Sequence, residues 1–433
     1  MSILDEIDAM VGERTARDLS LVAEQIERTG GCERPIRLRG VGSGSPSAGQ
    51  PDGVLLVACK SRRESRCRPC SARYRGDAKQ IVRCGIEGGK GVPESVSRHP
   101  ALFVTLTAPS WGRVHRAVDG RCHLGPPGRC VHGRPTFCLE RHEERDELVG
   151  SPLCADCYDY TGAVLFNASI GELWRRVTVY ARRHLGYLLG LSSRELDEHL
   201  RLSYVKIAEL QRRGVVHLHA VVRADAPGDE TAPPERAVTP ALLADAFVRA
   251  VGAVSLRREL GGRTYVLSFG EQIRTEPLAG TDMARLSGYL AKYLVKEASG
   301  NGSLDHRLKE GEVELLEVSD HLRLMVETAF RLGRESGDDK LGHWAHALGF
   351  PGHLMTKSRR YSTTFLALRA LRQAWRIAER EEPEEETDDV GWIFVGVGHT
   401  KAIDALLART YWQGRLHSRA EYWADRHEKD RGP

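Results

Sequence analysis

Two histidines and a glutamate form the sharpest chemical pattern in this sequence. His217 and His219 are two residues apart in VVHLHAVVR, and the segment RLSYVKIAEL precedes them across the turn QRRG. Residues two apart in a strand point to the same face of a sheet. If the turn centres near Arg213, Glu209 pairs directly with His217 and faces the same way. Two imidazoles and a carboxylate would form a divalent-metal site with open positions, and the alternative is an ordinary sheet face.

A second pattern lies in the segment SGYLAKYLVKEA, which has helical periodicity. On a helix, Tyr289, Lys292, Tyr293 and Lys296 share an arc of roughly 100°, while leucine, alanine and valine occupy the opposite arc. A tyrosine with a pKa of ~10 is a poor nucleophile at neutral pH. Nearby lysines and a metal-bound phosphate would stabilise its phenolate. The pattern therefore predicts a nucleophile, and the alternative is an amphipathic helix with Tyr and Lys at its solvent boundary.

These two patterns, together with a preceding strand over Phe103–Thr107, resemble the HUH endonuclease superfamily of rolling-circle initiators, relaxases and transposases. The two-tyrosine form is similar to that of phage and plasmid initiators. The segments FVTLTAPSWG, LCADCYDY, ELWRRVTV, QRRGVVHLHAVVR, GYLAKYLVK and WAHALGFPGHLMTKSRRYSTTF look like the replication initiators of actinobacterial plasmids and integrative elements. The resemblance extends from about residue 55 to about residue 376.

The resemblance implies a role for each matching residue. His217 and His219, with Glu209 as third ligand, would bind catalytic Mg²⁺ or Mn²⁺. Tyr289 or Tyr293 would attack the scissile phosphodiester, with Lys292 and Lys296 beside them. The products would be a 5′-phosphotyrosine and a free 3′-OH for a host polymerase.

The resemblance thus implies a nickase and strand transferase that starts rolling-circle replication. Its partners would be origin DNA, with a single-stranded or cruciform nick site next to duplex, and a host polymerase and helicase. A relaxase or a transposase with the same chemistry is one alternative. A zinc-dependent DNA-binding regulator without catalysis is the other.

The cysteines fall into two groups that suggest structural zinc. The pairs Cys67–Cys70 and Cys154–Cys157 have the CxxC spacing of zinc knuckles. The predicted ligand sets are, for the first site, Cys59, Cys67, Cys70 and Cys84, and, for the second, Cys130, Cys138, Cys154 and Cys157. In the second site Cys122, His132 and His142 are alternatives, and Cys32 is expected to stand apart. Four thiolates leave no open coordination position, which favours a folding role.

Two basic stretches are suited to DNA contact. Residues 59–75 hold seven Lys or Arg against one Glu, and residues 356–376 hold six and no acid. Serine and threonine lie between the basic residues of the second stretch and could donate to phosphates. We therefore predict DNA contacts at Lys357, Arg359 and Arg360, and the alternative is a solvated basic helix.

The composition and the order of elements place these sites in an α+β protein. With 41% hydrophobic and 28% charged residues, the chain is typical of globular proteins, and no apolar run reaches the ~18 residues of a membrane span. The first residues do not resemble a signal peptide, so we expect a cytoplasmic protein. We expect an HUH core, an antiparallel sheet flanked by helices, with the histidines on a central strand. The predicted segments are an N-terminal helical segment and linker (1–53), a zinc module (54–95), the nickase domain with a zinc module inserted at about 120–160 (96–300), and a mainly helical C-terminal domain (301–433).

Overall fold

The computed structural model divides the chain into two compact units, which are described separately. The terminal unit comprises residues 1–77 and 369–433, and the sheet unit comprises residues 78–368. The structure describes residues 14–42, 45–123, 128–228, 231–235, 237–278, 304, 306–337, 340–380 and 391–431. The helix predicted around Tyr289 and Tyr293 lies outside these residues.

The terminal unit joins the two ends of the chain in one small sheet. Strand β1 (Ile36–Gly40) pairs antiparallel with β2 (Leu55–Val57) on one side and with β10 (Trp392–Val397) on the other. Helix α1 (Ala16–Thr29) packs against α9 (Ala402–Arg431). This unit therefore differs from the predicted arrangement, in which the N-terminal and C-terminal segments form separate parts.

Helix α1 is defined by signals at both of its ends. The Thr15 side chain accepts a hydrogen bond from the backbone of Asp18, whose carboxylate bonds back to Thr15, as in a capping box. The helix ends at Thr29 and is followed by Gly30, which has the left-handed φ of 72° that glycine adopts readily. Val22 and Ile26, one turn apart, bury the same face together with Ala408 of α9.

The sheet unit is built on five antiparallel strands. They are β3 (Ala101–Leu106), β4 (Arg201–Leu210), β5 (Val216–Asp225), β8 (Ile273–Leu278) and β9 (Met355–Lys357). Their spatial order is β8-β3-β5-β4-β9, so β5 lies at the centre of the sheet. The expectation that the histidine strand is central is confirmed, as is the mixed α+β class.

The two faces of this sheet bury different side chains because residues alternate along each strand. On β3, Leu102, Val104 and Leu106 belong to the larger hydrophobic core. Phe103 and Ala101 belong to a smaller core on the opposite face. We call the face with Phe103 the site face, since it also carries the histidines described below.

Three long helices cover the face opposite to the site face. They are α3 (Tyr160–Leu189), α5 (Pro240–Ala253) and α6 (Asp320–Ser336). Asp159 caps α3 by accepting a 2.8 Å hydrogen bond from the backbone N–H of Gly162. Phe166 and Leu173 of α3 are fully buried. Burial stabilises by ~1.5–3 kcal/mol for a side chain of this size, so this layer is a firm support for the sheet.

The site face is covered by apolar residues of two helices. The sheet-unit part of α2 (Arg68–Glu87) contributes Ala78, Ile81, Val82 and Ile86 to this core, and α8 (Phe365–Arg380) contributes Leu368. Tyr361 is also completely buried there. The remaining described elements of the sheet unit are α4 (Ser193–His199), α7 (Lys340–His343) and the hairpin of β6 (Leu256–Leu260) with β7 (Arg263–Leu267).

Residues 107–159, between β3 and α3, form what we call the insertion. Its described residues contain isolated bridges, Val114 with Pro152 and Arg129 with Pro135, and a short 3-10 helix at Ala155–Cys157. Backbone pairing of this kind is sparse for a segment of this length, so side-chain interactions must hold it. Throughout the described part of the chain, no helix is both long enough and apolar enough to cross a membrane.

Candidate metal centres

The register of the central hairpin places the predicted ligands together. Strands β4 and β5 pair without a bulge from Arg201↔Asp225 to Leu210↔Val216, and Glu209 lies directly opposite His217. The pairing that the turn geometry predicted is therefore confirmed. His219, two residues further along β5, lies on the same face.

The three side chains are close to one another and almost completely buried. His219 Nε2 lies 3.5 Å from Glu209 Oε2, and the two imidazole rings are 4.7 Å apart at an angle of 68°. The exposed fractions are 9% for His217, 2% for His219 and 7% for Glu209. Buried polar groups of this kind require partners, and a cation among them would supply one.

Strand β3 orients His219 from the other side. The Thr105 hydroxyl lies 3.2 Å from His219 Nδ1, and the Phe103 ring lies parallel to the imidazole with a centroid distance of 5.8 Å. If Nδ1 carries the proton and donates it to Thr105, the lone pair of Nε2 is directed towards Glu209. A hydrogen bond to the second ring nitrogen is the usual way in which proteins orient a metal-binding histidine.

The electrostatic environment keeps His217 neutral at ordinary pH. Its pKa is lowered to about 4, chiefly by burial and also by the charges of His219 and Arg213, while Glu209 opposes the shift. Among the described residues, the buried Nδ1 of His217 has no hydrogen-bond partner. A neutral imidazole with an unused nitrogen is the form that binds a metal ion. The two imidazoles and the carboxylate therefore fit a divalent cation.

The structure describes the predicted DNA contacts but not the remaining predicted catalytic residues. Tyr289, Lys292, Tyr293 and Lys296 lie outside the described residues. Lys357, on the edge strand β9, directs its ammonium to backbone carbonyls of its own loop, at 3.0 Å from that of Ser362. Arg360 donates to the carbonyl of Gly228 at 2.8 Å, and Arg359 is exposed.

Three Cys/His groups have the arrangement of metal sites. In each group, the ligand atoms all lie within 4.8 Å of one another. The first group contains Cys32, Cys59, Cys67 and Cys70; the second contains His115, Cys122, Cys138 and His142; the third contains Cys130, His132, Cys154 and Cys157. The sequence predicted two such sites, and the described residues contain three groups.

In the Cys32 group, the sulfur of Cys32 takes the place predicted for Cys84. Its sulfur lies 3.8 Å from that of Cys67 and 3.6 Å from that of Cys70. A tetrahedral zinc site with Zn–S bonds of about 2.3 Å has S···S edges of about 3.8 Å, so these spacings fit. Cys84 follows Cys70 by fourteen residues in the same helix, a rise of about 21 Å, which puts it out of reach. The expectation that Cys32 stands apart is wrong.

The ligand set predicted in the insertion is divided between two groups. His132 Nδ1 lies 3.2 Å from Cys157 Sγ and 3.7 Å from Cys154 Sγ, so His132 replaces Cys138 in that set. Cys138 belongs to the His115 group, where its sulfur lies 3.3 Å from His142 Nε2. Sequence reasoning considered Cys122, His132 and His142 as alternatives and missed His115. A set built from Cys122, Cys138 and His142 lacks a fourth ligand, and His115 lies seven residues before Cys122.

Comparison with known proteins gives the family of this chain. The family described as "Replication initiator protein, pSAM2" matches residues 18–413. A Streptomyces ambofaciens protein named "Replication initiator protein" is 38% identical over 430 residues, which cover 91% of this chain and 90% of that protein. The chain belongs to this replication initiator family. No solved structure matches the chain.

The family match includes every site described above. Residues 18–413 contain Glu209, His217 and His219 as well as all twelve ligands of the three Cys/His groups. They also contain the predicted tyrosines, Tyr289 and Tyr293. The match therefore extends over both units and over the insertion.

Proposed function

We propose that this replication initiator is a DNA nickase and strand transferase that starts rolling-circle replication at the origin of a plasmid or integrative element. The observation that carries the proposal is the convergence of Glu209, His217 and His219 on the site face of the central strands. In a protein of the replication initiator family, a buried three-ligand site of this kind is suited to cleaving a phosphodiester.

The described residues would bind the cation and orient its ligands. His217 and His219 would contribute imidazole nitrogens and Glu209 a carboxylate, while Thr105 would accept a hydrogen bond from His219 Nδ1 and leave Nε2 for the metal. Mg²⁺ or Mn²⁺ bound there would supply Lewis-acid polarisation of the scissile phosphate. The Phe103 ring, which lies parallel to the His219 imidazole, would help to orient that ring.

The assignment of the nucleophile rests on the sequence pattern and the resemblance. Tyr289 or Tyr293 would attack the phosphorus, the bond to the 3′ oxygen would break, and the protein would keep the 5′ phosphate as a phosphotyrosine. Lys292 and Lys296, on the same predicted helix face, would stabilise the phenolate and the charge on the phosphate. The second tyrosine would allow a second cleavage after one round of strand displacement.

We also propose that the protein binds zinc and origin DNA. The Cys32 and Cys130 groups would each hold one structural Zn²⁺, because their spacings fit tetrahedral coordination and leave no open position. Of the predicted DNA contacts, Arg359 is the best placed, since Lys357 and Arg360 already donate within the protein. A host polymerase would extend the 3′-OH, and a host helicase would open the duplex.

The test is the formation of a covalent adduct on DNA. Labelled single-stranded and hairpin oligonucleotides, tiled over the origin of the element that encodes the protein, are incubated with the full chain and Mn²⁺ or Mg²⁺. Wild-type protein is expected to form an adduct that survives denaturing electrophoresis and to release a fragment that a polymerase extends. Tyr289→Phe with Tyr293→Phe, and separately His217→Ala, should reduce the adduct to background.

Matched variants separate chemistry from folding. Tyr265→Phe, on the β6–β7 hairpin, and His417→Ala, an exposed histidine of α9, should both keep full activity. Duplex binding without an adduct in either metal would instead support the non-catalytic regulator. An adduct without replication of a plasmid that carries only the origin and this gene would support a relaxase or transposase.

A further inference from the structure

The ligands of the two groups in the insertion alternate along the chain. Taken in order, they form four pairs: His115 and Cys122, Cys130 and His132, Cys138 and His142, Cys154 and Cys157. The first and third pairs make the His115 group, and the second and fourth pairs make the Cys130 group. Each group thus closes a loop that contains a ligand pair of the other group.

Backbone hydrogen bonds bring together the ligand pairs of each group. The N–H groups of Cys122 and His123 donate to the carbonyls of Glu140 and Cys138, each at 2.9 Å, which places Cys122 beside Cys138. The described residues in between form a tight turn, in which the N–H of Cys130 donates to Arg134 at 2.8 Å. That turn carries Cys130 and His132 towards the later pair at Cys154 and Cys157.

The His115 group has the geometry and the supporting contacts of a metal site. His115 Nδ1 lies 3.0 Å from His142 Nε2, and Cys138 Sγ lies 3.3 Å from the same nitrogen. Tetrahedral zinc requires edges of about 3.3 Å between two nitrogens and about 3.6 Å between nitrogen and sulfur, so modest expansion admits the ion. The backbone N–H of Arg116 donates to Cys122 Sγ at 3.2 Å, which would stabilise a thiolate.

Asp146 supports this site through a contact with the ligand His142. Its carboxylate lies 2.6 Å from His142 Nδ1, and it also accepts a 2.8 Å hydrogen bond from the backbone N–H of Leu148. This arrangement fixes the proton of His142 on Nδ1 and directs Nε2 to the other three ligands. A carboxylate behind a histidine is the usual second layer of a zinc site.

The same loop contacts the turn of the central hairpin. His115 exchanges backbone hydrogen bonds with Gly150 and Ser151, at 2.9 and 2.8 Å. Gly150 has a φ of 94° and lies against the backbone of Arg212, where an added Cβ would come within 2.5 Å of the Arg212 carbonyl carbon. The Arg212 guanidinium donates to the carbonyl of Glu144. Residues 144–150 are therefore attached to the His115 group at one side and to the hairpin turn at the other.

We propose that the insertion is a two-metal module, in which His115, Cys122, Cys138 and His142 bind a Zn²⁺ in addition to that of the Cys130 group, and which positions the turn between Glu209 and His217. Because the ligand pairs alternate, each ion fixes the loop that presents ligands to the other, so the two ions bind together. The positioning of the catalytic hairpin rests on the function proposed above. The metal site and the coupled binding do not.

Zinc content tests the site and its coupling. The full chain is prepared with His217→Ala and His219→Ala, so that the sheet site contributes no zinc, and zinc per chain is measured by mass spectrometry. The parent should hold one zinc for each of the three groups. His142→Ala should remove both zinc ions of the insertion. Cys32→Ser with Cys67→Ser, in a group without alternation, should remove one.

Conservative variants keep the test independent of misfolding. His142→Cys should restore the zinc content of the parent. Asp146→Ala should weaken zinc binding by the insertion by about 10–100-fold in a chelator competition, because it removes the carboxylate behind His142. Asp119→Ala, at an exposed position of the same insertion, should change neither quantity. An unchanged zinc content in His142→Ala would overturn the site, and the loss of a single ion would overturn the coupling.

Hydrogen exchange tests the positioning of the turn. A peptide that covers residues 211–215 should exchange faster in His142→Ala than in the parent and at the parent rate in Asp119→Ala. Equal exchange in His142→Ala and the parent would overturn the positioning. Neither zinc content nor exchange depends on cleavage, so a protein that holds all three zinc ions and forms no DNA adduct would remove the nickase and leave this module intact.

Discussion

The sheet site and the insertion both contain histidines that could bind a metal, but they position their ligands by different means. In the hairpin, an unbroken antiparallel ladder from Arg201↔Asp225 to Leu210↔Val216 sets Glu209 opposite His217. In the described part of the insertion, backbone pairing consists of isolated bridges and turns. The ladder therefore sets the shape of the sheet site by itself, whereas we expect the insertion to depend on the proposed zinc ions for its shape.

This difference matches the two roles that we propose. A site that binds a substrate phosphate must keep coordination positions open, and a rigid ladder supports ligands without surrounding the metal. A site that holds a loop together gains most when four protein ligands close around the ion. The three-ligand site thus lies on regular paired strands, whereas the four-ligand groups of the insertion lie in irregular backbone.

Removing the metals is expected to break the comparison most strongly. Binding of a structural zinc contributes ~10–16 kcal/mol in small zinc modules, because the unfolded segment has no preformed site. Treatment of the full chain with 1,10-phenanthroline should expose the insertion to rapid hydrogen exchange while the amides of β4 and β5 stay protected. The non-chelating isomer 1,7-phenanthroline serves as the control. An insertion that stays protected without metal would show that the backbone holds it after all.

The difference between a regular ladder and an irregular insertion also determines which ligands the sequence can predict. The hairpin register followed from two rules, the alternation of residues along a strand and the length of the turn, so Glu209 and His217 were paired correctly. The central position of β5 followed from the resemblance. Each rule acts over only a few residues, but once one pair of residues is aligned, a ladder without bulges fixes every other pair along the two strands.

The ligand sets of the Cys/His groups followed no comparable rule. CxxC pairs were recognised from spacing, but the partners come from distant positions, and Cys32 reaches its group from 27 residues before Cys59. In the insertion, proximity in sequence favoured Cys138 for the Cys130 set, and the Cys122–Glu140 and His123–Cys138 hydrogen bonds decided otherwise. The sheet pairing of β1 with β10, across most of the chain, was equally beyond local reasoning.

A buried ion pair at the far end of β5 offers the next largest effect. Asp225 is fully buried and accepts hydrogen bonds from Arg223 Nε at 2.6 Å and Nη2 at 3.0 Å, and its carboxylate lies 2.8 Å from His99 Nδ1. Burial by itself would raise the pKa of Asp225, but the contacts with His99 and Arg223 lower it below the ordinary value. Asp225→Ala leaves the Arg223 charge buried without its partner.

We expect Asp225→Ala to lower the free energy of unfolding by ~3–5 kcal/mol, measured by denaturant titration. Asp245→Ala, which removes an exposed i,i+4 pair with Arg249 on α5, should cost under ~0.5 kcal/mol. A small effect of Asp225→Ala would mean that the ladder, and not this charged end, supplies the rigidity of the site face.

The hydroxyl of Thr105 provides a smaller and sharper test of the sheet site. Thr105→Val keeps the shape of the side chain and removes the partner of His219 Nδ1. Affinity for Mn²⁺ should fall by about 10–100-fold in an electron paramagnetic resonance titration of the full chain, with the unfolding midpoint changed little. Thr264→Val, on the exposed hairpin strand β7, is the matched control. An unchanged affinity would show that Phe103 packing is sufficient to orient the ring.

The smallest effect concerns the contact of the hairpin turn with His321 of α6. His321 Nε2 lies 3.0 Å from the carbonyl of Arg213, and its Nδ1 lies 3.2 Å from the hydroxyl of Tyr160. A neutral ring satisfies both contacts, since Nε2–H donates to the carbonyl and Nδ1 accepts from the phenol. Burial lowers the pKa of His321, and the hydrogen bond to Arg213 opposes the shift.

Because the folded pKa lies below that of the unfolded chain, the unfolded state binds more protons as the pH falls below about 6.5, and the folded state loses stability. We expect His321→Gln to reduce the fall in unfolding free energy between about pH 7 and pH 5.5, measured by denaturant titration at each pH. His417→Gln, at an exposed position, should leave the fall unchanged. If the unfolding free energy falls equally in His321→Gln and in wild type, groups other than His321 are responsible for the loss of stability in mild acid.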